Sequence, residues 1–524
     1  MPKKAAELAK ELQAISVSQF FRKNMHLLGF DNPRKALLTI IKEACDNSLD
    51  SCEEANILPK IKVELKKVDN GPIGEWGSLY TITVEDNGPG IMPKQVGNVF
   101  GKLLYGSKFH KLRQSRGQQG IGISASVLYS QLTTDCATKV WSWIKPNTKA
   151  YYSEVKCNVK ANEPVIVVEK EEEEERDTTG VRVEFNALGI YYRGEQSIDT
   201  YLKQMCLANP TLQLEFKNGE TGEHTKINNS SNTLLGQPKE IKPHPSGIDI
   251  GMLSELVAHT KRKTVKDLLA KDLSRVTYSK ATTILRKCKI RTNIKPADIV
   301  EEEVKAIFNY MKTLKFMAPQ SNCLVPIGEE LFASSLKQLV NGAEFYTTIT
   351  RPAQVYKGNP FQVEVGIAYG GDIDAENKIK LIRMANKVPL LYNYAAGAIA
   401  EGIGDVDWRL YGLAMPKGSN LPVGPAVIAV HVVSVWVPYT SEGKQSIAKY
   451  PEIVKEIKLA CQECGRTLGK FVRKQNRRKL DEKKQKVFEV YIPILVQSLF
   501  NVAKANKQKE KVLIKNLMEK AKRV

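Results

Sequence analysis

Arg116-Gly117-Gln118-Gln119-Gly120-Ile121-Gly122, running straight into the apolar segment Ile123 to Tyr129, is the stretch that decides how this chain folds. Glycine-rich backbone entering a helix N-terminus offers a phosphate several N–H donors and the positive end of the helix dipole. A Walker A loop is excluded, because Gly-Lys-Ser/Thr would have to close it. A Rossmann turn is excluded too, because it follows the first strand of its domain. Alone, a glycine motif of this kind is weak, and its neighbours give it meaning.

Upstream, Leu79 to Val84 alternates as a strand does and leads into Glu85-Asp86-Asn87-Gly88-Pro89-Gly90. An aspartate at a strand end can accept a hydrogen bond from the exocyclic amine of adenine, and the glycines after it let backbone approach the ring. Ordinary turn chemistry is the bland alternative. An EF-hand is excluded, since position 12 counted from Asp86 is Gly97 where a bidentate glutamate is needed. Further upstream stands Lys42-Glu43-Ala44-Cys45-Asp46-Asn47-Ser48-Leu49-Asp50. Asn32-Pro33 opens a helix there, with Leu37, Ile40, Ile41, Ala44 and Ser48 on its buried side. Glu43 and Asn47, four apart, share the opposite face. A carboxylate can deprotonate a water, and an amide oxygen suits Mg²⁺ beside phosphates.

Helix Glu/Asn, strand Asp-x-Gly-x-Gly and Gly-x-x-Gly-x-Gly before a helix, in that order, resemble the Bergerat ATP-binding fold of gyrase B subunits, Hsp90, histidine kinases and MutL. The resemblance implies ATP and Mg²⁺ as cofactors. Glu43 is then the general base, Asn47 the Mg²⁺ ligand and Asp86 the adenine reader, with Gly88 and Gly90 beside it. Ser107, Lys108 and the run Gly117, Gln118, Gln119, Gly120, Ile121, Gly122, Ile123, Ser124 enclose the phosphates. The family often carries Thr after the glycine of a later strand. Here Gly180 is followed by Val181, so that strand is left out of the expected site.

The rest of the chain narrows the choice. Its 524 residues imply several domains. Its net charge of +21, of which residues 470–524 supply +12 from 17 Lys/Arg against 5 Asp/Glu, favours polyanionic partners. Nine cysteines without a framework point to a reducing compartment, and no signal-peptide core follows Met1. The apolar stretch Leu421 to Tyr439 contains Pro422, Pro425 and His431. Its centre, Ala426 to Val437, therefore reads as a buried strand rather than a membrane span. The run Glu171 to Glu175 reads as a solvated loop. After Lys242-Pro-His-Pro-Ser-Gly247 a basic helical stretch runs to about residue 316, with Thr264 as an N-cap. From Pro319 an α/β segment follows, with a strand at Phe361 to Ala368. A long helix then spaces Ile453, Ile457, Cys461, Cys464, Leu468 and Phe471 along one side. Cys461-Gln-Glu-Cys464 reads as packing rather than a zinc half-site, and Asp405-Val-Asp407 as structural.

The six histidines (26, 110, 224, 244, 259, 431) fit no phosphoacceptor helix, and Hsp90 lacks a basic helical insert. Longer strings resemble the B subunits of type IIB topoisomerases (topoisomerase VI). They include Phe20-Phe-Arg-Lys-Asn24, Gly29-Phe-Asp-Asn-Pro33, Val127-Leu-Tyr-Ser-Gln131 and Lys242-Pro-His-Pro245. Others are Thr350-Arg-Pro352, Asn359-Pro-Phe361 to Gly371, Ala385-Asn-Lys-Val-Pro389, Asp407-Trp-Arg-Leu-Tyr411 and Val437 to Ala448.

That resemblance implies an α/β (α+β) multidomain chain. An N-terminal arm spans 1–19, a Bergerat ATPase sandwich 20–228 and a helix-two-turn-helix insert 229–316. A ribosomal-protein-like α/β transducer with a long C-terminal helix spans 317–470, and a basic tail for A-subunit contact 471–524. The transducer's lysine, which enters the ATP site as a catalytic residue, matches Lys444. The implied partners are a DNA-cleaving A subunit in an A2B2 heterotetramer, a second copy of the chain in an ATP-dependent dimer, and double-stranded DNA, with no membrane. The implied activity is relaxation and decatenation by ATP-gated strand passage. The implied location is cytoplasmic and nucleoid-associated, or nuclear in a eukaryote. A MutL-like or meiotic ATP-dependent clamp without topoisomerase activity is the rival reading.

Overall fold

The computed structural model describes residues 19, 23, 25–68, 76–108, 111–117, 120–441, 443–503 and 507–521. The expected arm, apart from Gln19, and the expected phosphate contacts Gln118 and Gln119 lie outside them.

Asn32 caps the first long helix, α1 (Pro33–Glu54), by accepting from the Arg34 N–H at 2.8 Å, and Pro33 sits where no N–H is needed. Leu37, Ile40, Ile41 and Ala44 pack into one core with Ile61, Val63 and Leu65 of β1 (Lys60–Lys67) and Tyr80, Ile82 and Val84 of β2 (Ser78–Asp86). Alternate residues of each strand face that core, as period-2 geometry requires. Helices α2 (Pro93–Gly101) and α3 (Gly122–Thr134) follow. Then come β3 (Thr138–Trp143), β4 (Thr148–Asn158), β5 (Glu163–Arg176), β6 (Gly180–Gly189), α4 (Ile198–Ala208), β7 (Gln213–Asn218) and β8 (Glu223–Ile227). The eight strands form one sheet in the order β5-β4-β3-β6-β2-β1-β7-β8, in which β1 and β7 run parallel.

The glutamate run is not a loop: it lies in β5, the outermost strand. Its charges have partners. Glu174 accepts from Arg182 at 2.7 and 2.9 Å, Glu172 from the Trp141 indole at 3.2 Å, and Glu173 from Lys149 at 2.8 Å. An exposed edge lined with charge resists pairing with another chain, which is why strand and acidic run coexist.

Four helices, α5 (Ile250–His259), α6 (Val265–Asp272), α7 (Tyr278–Lys287) and α8 (Glu301–Thr313), enclose a separate small core around Leu253, Leu268, Ile284 and Ile307. Thr264 caps α6, accepting from the Asp267 N–H at 3.1 Å.

After α9 (Glu329–Leu339) a second sheet forms from β9 (Phe345–Thr350), β10 (Gln354–Tyr356), β11 (Asn359–Tyr369), β12 (Lys380–Ala385), β13 (Val388–Pro389) and β14 (Ala426–Ser434). Between β13 and β14 lies α10 (Ala398–Gly404). β14 is buried along its whole length and stops at Ser434, short of the expected Val437. The long helix α11 (Pro451–Ala503) lays Ile453, Ile457, Cys461, Cys464 and Leu468 on this sheet. It runs unbroken through residue 470, and α12 (Lys507–Ala521) folds back on it. No cluster of three or more His, Cys, Asp and Glu able to hold a metal occurs among the described residues, and Cys461 and Cys464 pack in the apolar core of this sheet. Asp407 caps the short helix Trp408–Tyr411 and holds Arg409 at 2.7 Å, a structural task. No described helix is long and apolar enough to cross a membrane.

The two sheets meet where Leu207 and Ala208 of α4 join Phe332 and Leu336 of α9 in a shared apolar cluster.

Candidate active site

α1 presents Glu43, Asn47, Ser48 and Ser51 to a cavity of about 820 Å³, a size typical of nucleotide and cofactor sites. β2 brings Asp86 to its floor. The N-terminus of α3 brings Gly120, Ile121, Gly122 and Ile123, and residues 105–108 with Arg116 and Gly117 form one wall. The opposite wall comes from the second sheet: residues 436–441 and Lys444, just beyond β14. Two expected contacts do not line it. Ser124 turns its hydroxyl to the Ile121 carbonyl at 3.1 Å, and Gly88 instead donates its N–H to Asp86 Oδ1 at 2.9 Å.

Asp86 is held by three donors. Ser48 gives its hydroxyl to Oδ2 at 2.6 Å, while the N–H groups of Gly88 and Val181 give to Oδ1 at 2.9 and 3.2 Å. Burial pushes the carboxyl above its ordinary range, against those bonds. Two corrections follow. The Gly180-Val181 strand belongs to the site, since Val181 and Val183 line the cavity and the contact to Asp86 is made by backbone, which valine supplies as well as threonine. Ser48 is no part of an apolar stripe: it orients Asp86.

Glycine is required twice here. A Cβ on Gly122 would stand 1.8 Å from Glu43 Oε2, so only glycine lets the α3 N-terminus close on that carboxylate. Gly90 has φ +78°, and its Cβ would meet the Trp143 carbonyl oxygen at 2.5 Å.

The charges are concentrated. Burial pushes Glu43 up, but Lys444 and Lys42 outweigh it and hold the carboxyl below its usual range. Lys42 Nζ lies 3.2 Å from Glu43 Oε1, and Lys444 Nζ lies 3.9 Å from Asp46 Oδ2. Burial disfavours the charged Lys444, yet Glu43 and Asp46 more than restore it. Lys444 has φ +51°, a left-handed conformation that costs a non-glycine residue and recurs at functional sites. Asp46 Oδ2 and the hydroxyls of Tyr439 and Ser441 are buried without a hydrogen-bond partner among the described residues. Buried polar atoms are normally satisfied, so the Tyr439 and Ser441 hydroxyls, which line the cavity, mark a site built for a polar ligand. A carboxylate, an amide, a lysine, free hydroxyls and a helix N-terminus together match the demands of a metal–polyphosphate.

A family model described as "Histidine kinase-, DNA gyrase B-, and HSP90-like ATPase" matches residues 32–187, and "Topoisomerase VI B subunit, transducer" matches residues 319–485. The type 2 DNA topoisomerase 6 B subunit of Methanococcoides burtonii is 41% identical over 496 residues, covering 94% of this chain and 78% of that one. The Archaeoglobus fulgidus protein of the same name is 41% identical over 491 residues, covering 93% and 79%. That of Methanothermobacter thermautotrophicus is 36% identical over 531 residues, covering 100% and 98%.

The chain belongs to the topoisomerase VI B-subunit family. Its activity is that of the ATP-hydrolysing subunit of a type IIB DNA topoisomerase, and its first sheet with α1, α3 and α4 is the Bergerat ATPase fold. For a member of the topoisomerase VI B-subunit family, sequence reasoning missed Ser48, Val181 and the wall at 436–441. Val437-Pro-Tyr-Thr lies directly before Ser441-Glu-Gly-Lys444, so continuing that string backwards would have found the wall.

Proposed function

We propose that Mg²⁺–ATP binds in this cavity and that its hydrolysis times the passage of one DNA duplex through another. Asp86, fixed by Ser48, Gly88 and Val181, accepts from the adenine amine. The α3 N-terminus and the glycines before it donate N–H groups to the phosphates, with Ser107 and Lys108 beside them. Asn47 would hold Mg²⁺, which when bound neutralises phosphate oxygens as their bond breaks. Glu43, ionised at neutral pH, takes the proton of the attacking water, and Lys444 stabilises charge at the γ-phosphate.

The observation that carries this reading is that Lys444, from a loop after β14, stands in the same cavity as Glu43 from α1. The ligand site is thereby completed by two sheets. We read 20–228, 229–316 and 317–470 as the units that move on one another. Residues 471–524 are then the contact to a DNA-cleaving A subunit in an A2B2 assembly, and the arm at 1–19 the exchange element of an ATP-dependent B–B dimer. Double-stranded DNA is the substrate, and the net charge of +21 suits it.

Glu43→Ala tests the chemistry. Nucleotide binding should persist while hydrolysis and DNA relaxation with the A subunit disappear; normal turnover would refute the assignment. A clamp that only dimerises would fail to relax DNA with the A subunit even as the wild-type protein.

A further inference from the structure

Behind the phosphate wall lies a buried charge cluster in which only Lys108 has a role in the site above. Arg116 donates to Asp50 Oδ1 at 2.7 Å and to Glu53 Oε1 and Oε2 at 2.6 and 2.9 Å. Lys108 donates to the other Asp50 oxygen. A third cation arrives from the far sheet: Lys387 Nζ lies 3.2 Å from Glu53 Oε1. Lys387 occupies the two-residue turn between β12 and β13, where Asn386 and Lys387 have φ +45° and +65°. Such turns favour glycine at the second position. A lysine there accepts backbone strain so that its side chain can cross the junction.

The turn is fixed on both sides. The Lys387 N–H donates to His431 Nε2 at 2.9 Å, and His431 Nδ1 meets Glu364 at 2.8 Å inside the second sheet. Asn386 Nδ2 donates to the Ser115 carbonyl at 3.1 Å, next in the chain to Arg116 of the phosphate wall. Two carboxylates thus face three cations. The Arg116 and Lys387 side chains are 2% and 3% exposed and Lys108 is 27% exposed, so Lys108 is the cation that leaves at least cost. Arg113 and Glu54 pair loosely at 3.8 Å on the rim and do not alter that balance.

We propose that Lys387 is a positioning residue that releases Lys108 to the nucleotide. With the second sheet docked, as here, Arg116 and Lys387 together neutralise Asp50 and Glu53, so Lys108, which still donates to Asp50, can leave for phosphate without stranding a buried charge. With the sheet swung away, the carboxylates keep Lys108, because withdrawing it would strand a buried negative charge. Coupling of this kind is reciprocal, so ATP that captures Lys108 favours the docked sheet. The inference rests on the reading that ATP binds in this cavity with Lys108 at its phosphates.

The test uses the full chain, the imido analogue of ATP, and adenosine as a probe without phosphates. Lys387→Met should weaken the analogue about ten- to a hundredfold, the range of a lost charge-assisted contact, and leave adenosine unchanged. Glu53→Gln/Lys387→Met should restore wild-type affinity, because one carboxylate then faces Arg116 alone. A purely structural loss would be made worse by the second change. Wild-type affinity in Lys387→Met overturns the proposal, and so does a folded double variant that binds as weakly as the single one. If Lys387→Met fails to fold, the double variant and Lys387→Arg, expected to bind as wild type, decide the matter. Wild-type protein that bound no analogue would remove the ATP reading, and this inference with it.

Discussion

Gly122→Ala separates the chemistry of this site from its stability. The new methyl would lie 1.8 Å from Glu43 Oε2. To regain even a 3.0 Å contact, the carboxylate must retreat by about 1.2 Å, away from its place beside Lys42. The obstacle is the end of a flexible side chain, so Glu43 moves and the fold stays. Gly122 is the first residue of α3, where alanine gains less than its helix-interior advantage of roughly 0.5–1 kcal/mol over glycine, so the melting temperature should stay near that of wild type. A misplacement of about 1 Å at a reacting group costs on the order of 10²-fold in rate, close to 2.7 kcal/mol. The assay combines phosphate release, affinity for the imido analogue of ATP and thermal melting on one preparation. The expected result is a turnover about a hundredfold down in a protein as stable as wild type and still able to bind adenine. Hydrolysis at the wild-type rate would refute both the role of Glu43 and the reason for glycine at 122.

Lys444→Ala should slow hydrolysis by roughly 10²–10³, as loss of one preorganised donor does, and should abolish the change in small-angle scattering between ADP and the imido analogue. Normal turnover with an intact shape change would reduce Lys444 to a structural partner of Asp46. Asp86 gives a pH dependence of definite sign. Its folded-state carboxyl is raised by burial, so the protonated form appears at a higher pH than for an ordinary aspartate near 3.9. Adenosine affinity should therefore fall on acidification before that value is reached. Asp86→Asn should bind weakly at every pH, with that slope gone. For stability the sign is opposite: a raised carboxyl opposes folding when ionised, so this group's contribution improves as pH falls. Truncation from Leu480 should leave ATP hydrolysis intact, because the packing seam of α11 ends at Val472. It should abolish co-purification with an A subunit, since Val490, Tyr491, Ile494, Leu495 and Leu499 beyond it are exposed. Undiminished assembly would reassign the tail to DNA, with a steep salt dependence as the mark.

What could be read in the sequence was whatever is local. Asn32-Pro33 writes its own helix start, the alternation at Ile61 to Leu65 its own strand, and Gly120 to Gly122 its own entry into α3. Lys444 became legible only through the resemblance of a longer string, because nothing in a Gly-Lys loop says what lies across from it. The misreadings share one cause. Val181 acts through an N–H that every residue but proline has, so a search for a threonine hydroxyl passed over it. Ser48 is one residue on from Asn47 and lies between the two faces of α1, so helical periodicity alone counted it with the core. The glutamates of β5 look like a solvated run until Arg182, Lys149 and Trp141 are brought beside them by strand pairing. Lys387 is the extreme case. In sequence it is one residue of the string Ala385 to Pro389, with nothing to mark a buried charge, yet α1 and residues 115–116 close over it, and its charge is answered by Glu53. A device that couples two sheets has to be invisible locally, since its energy lies in groups that meet only when both sheets are built and docked.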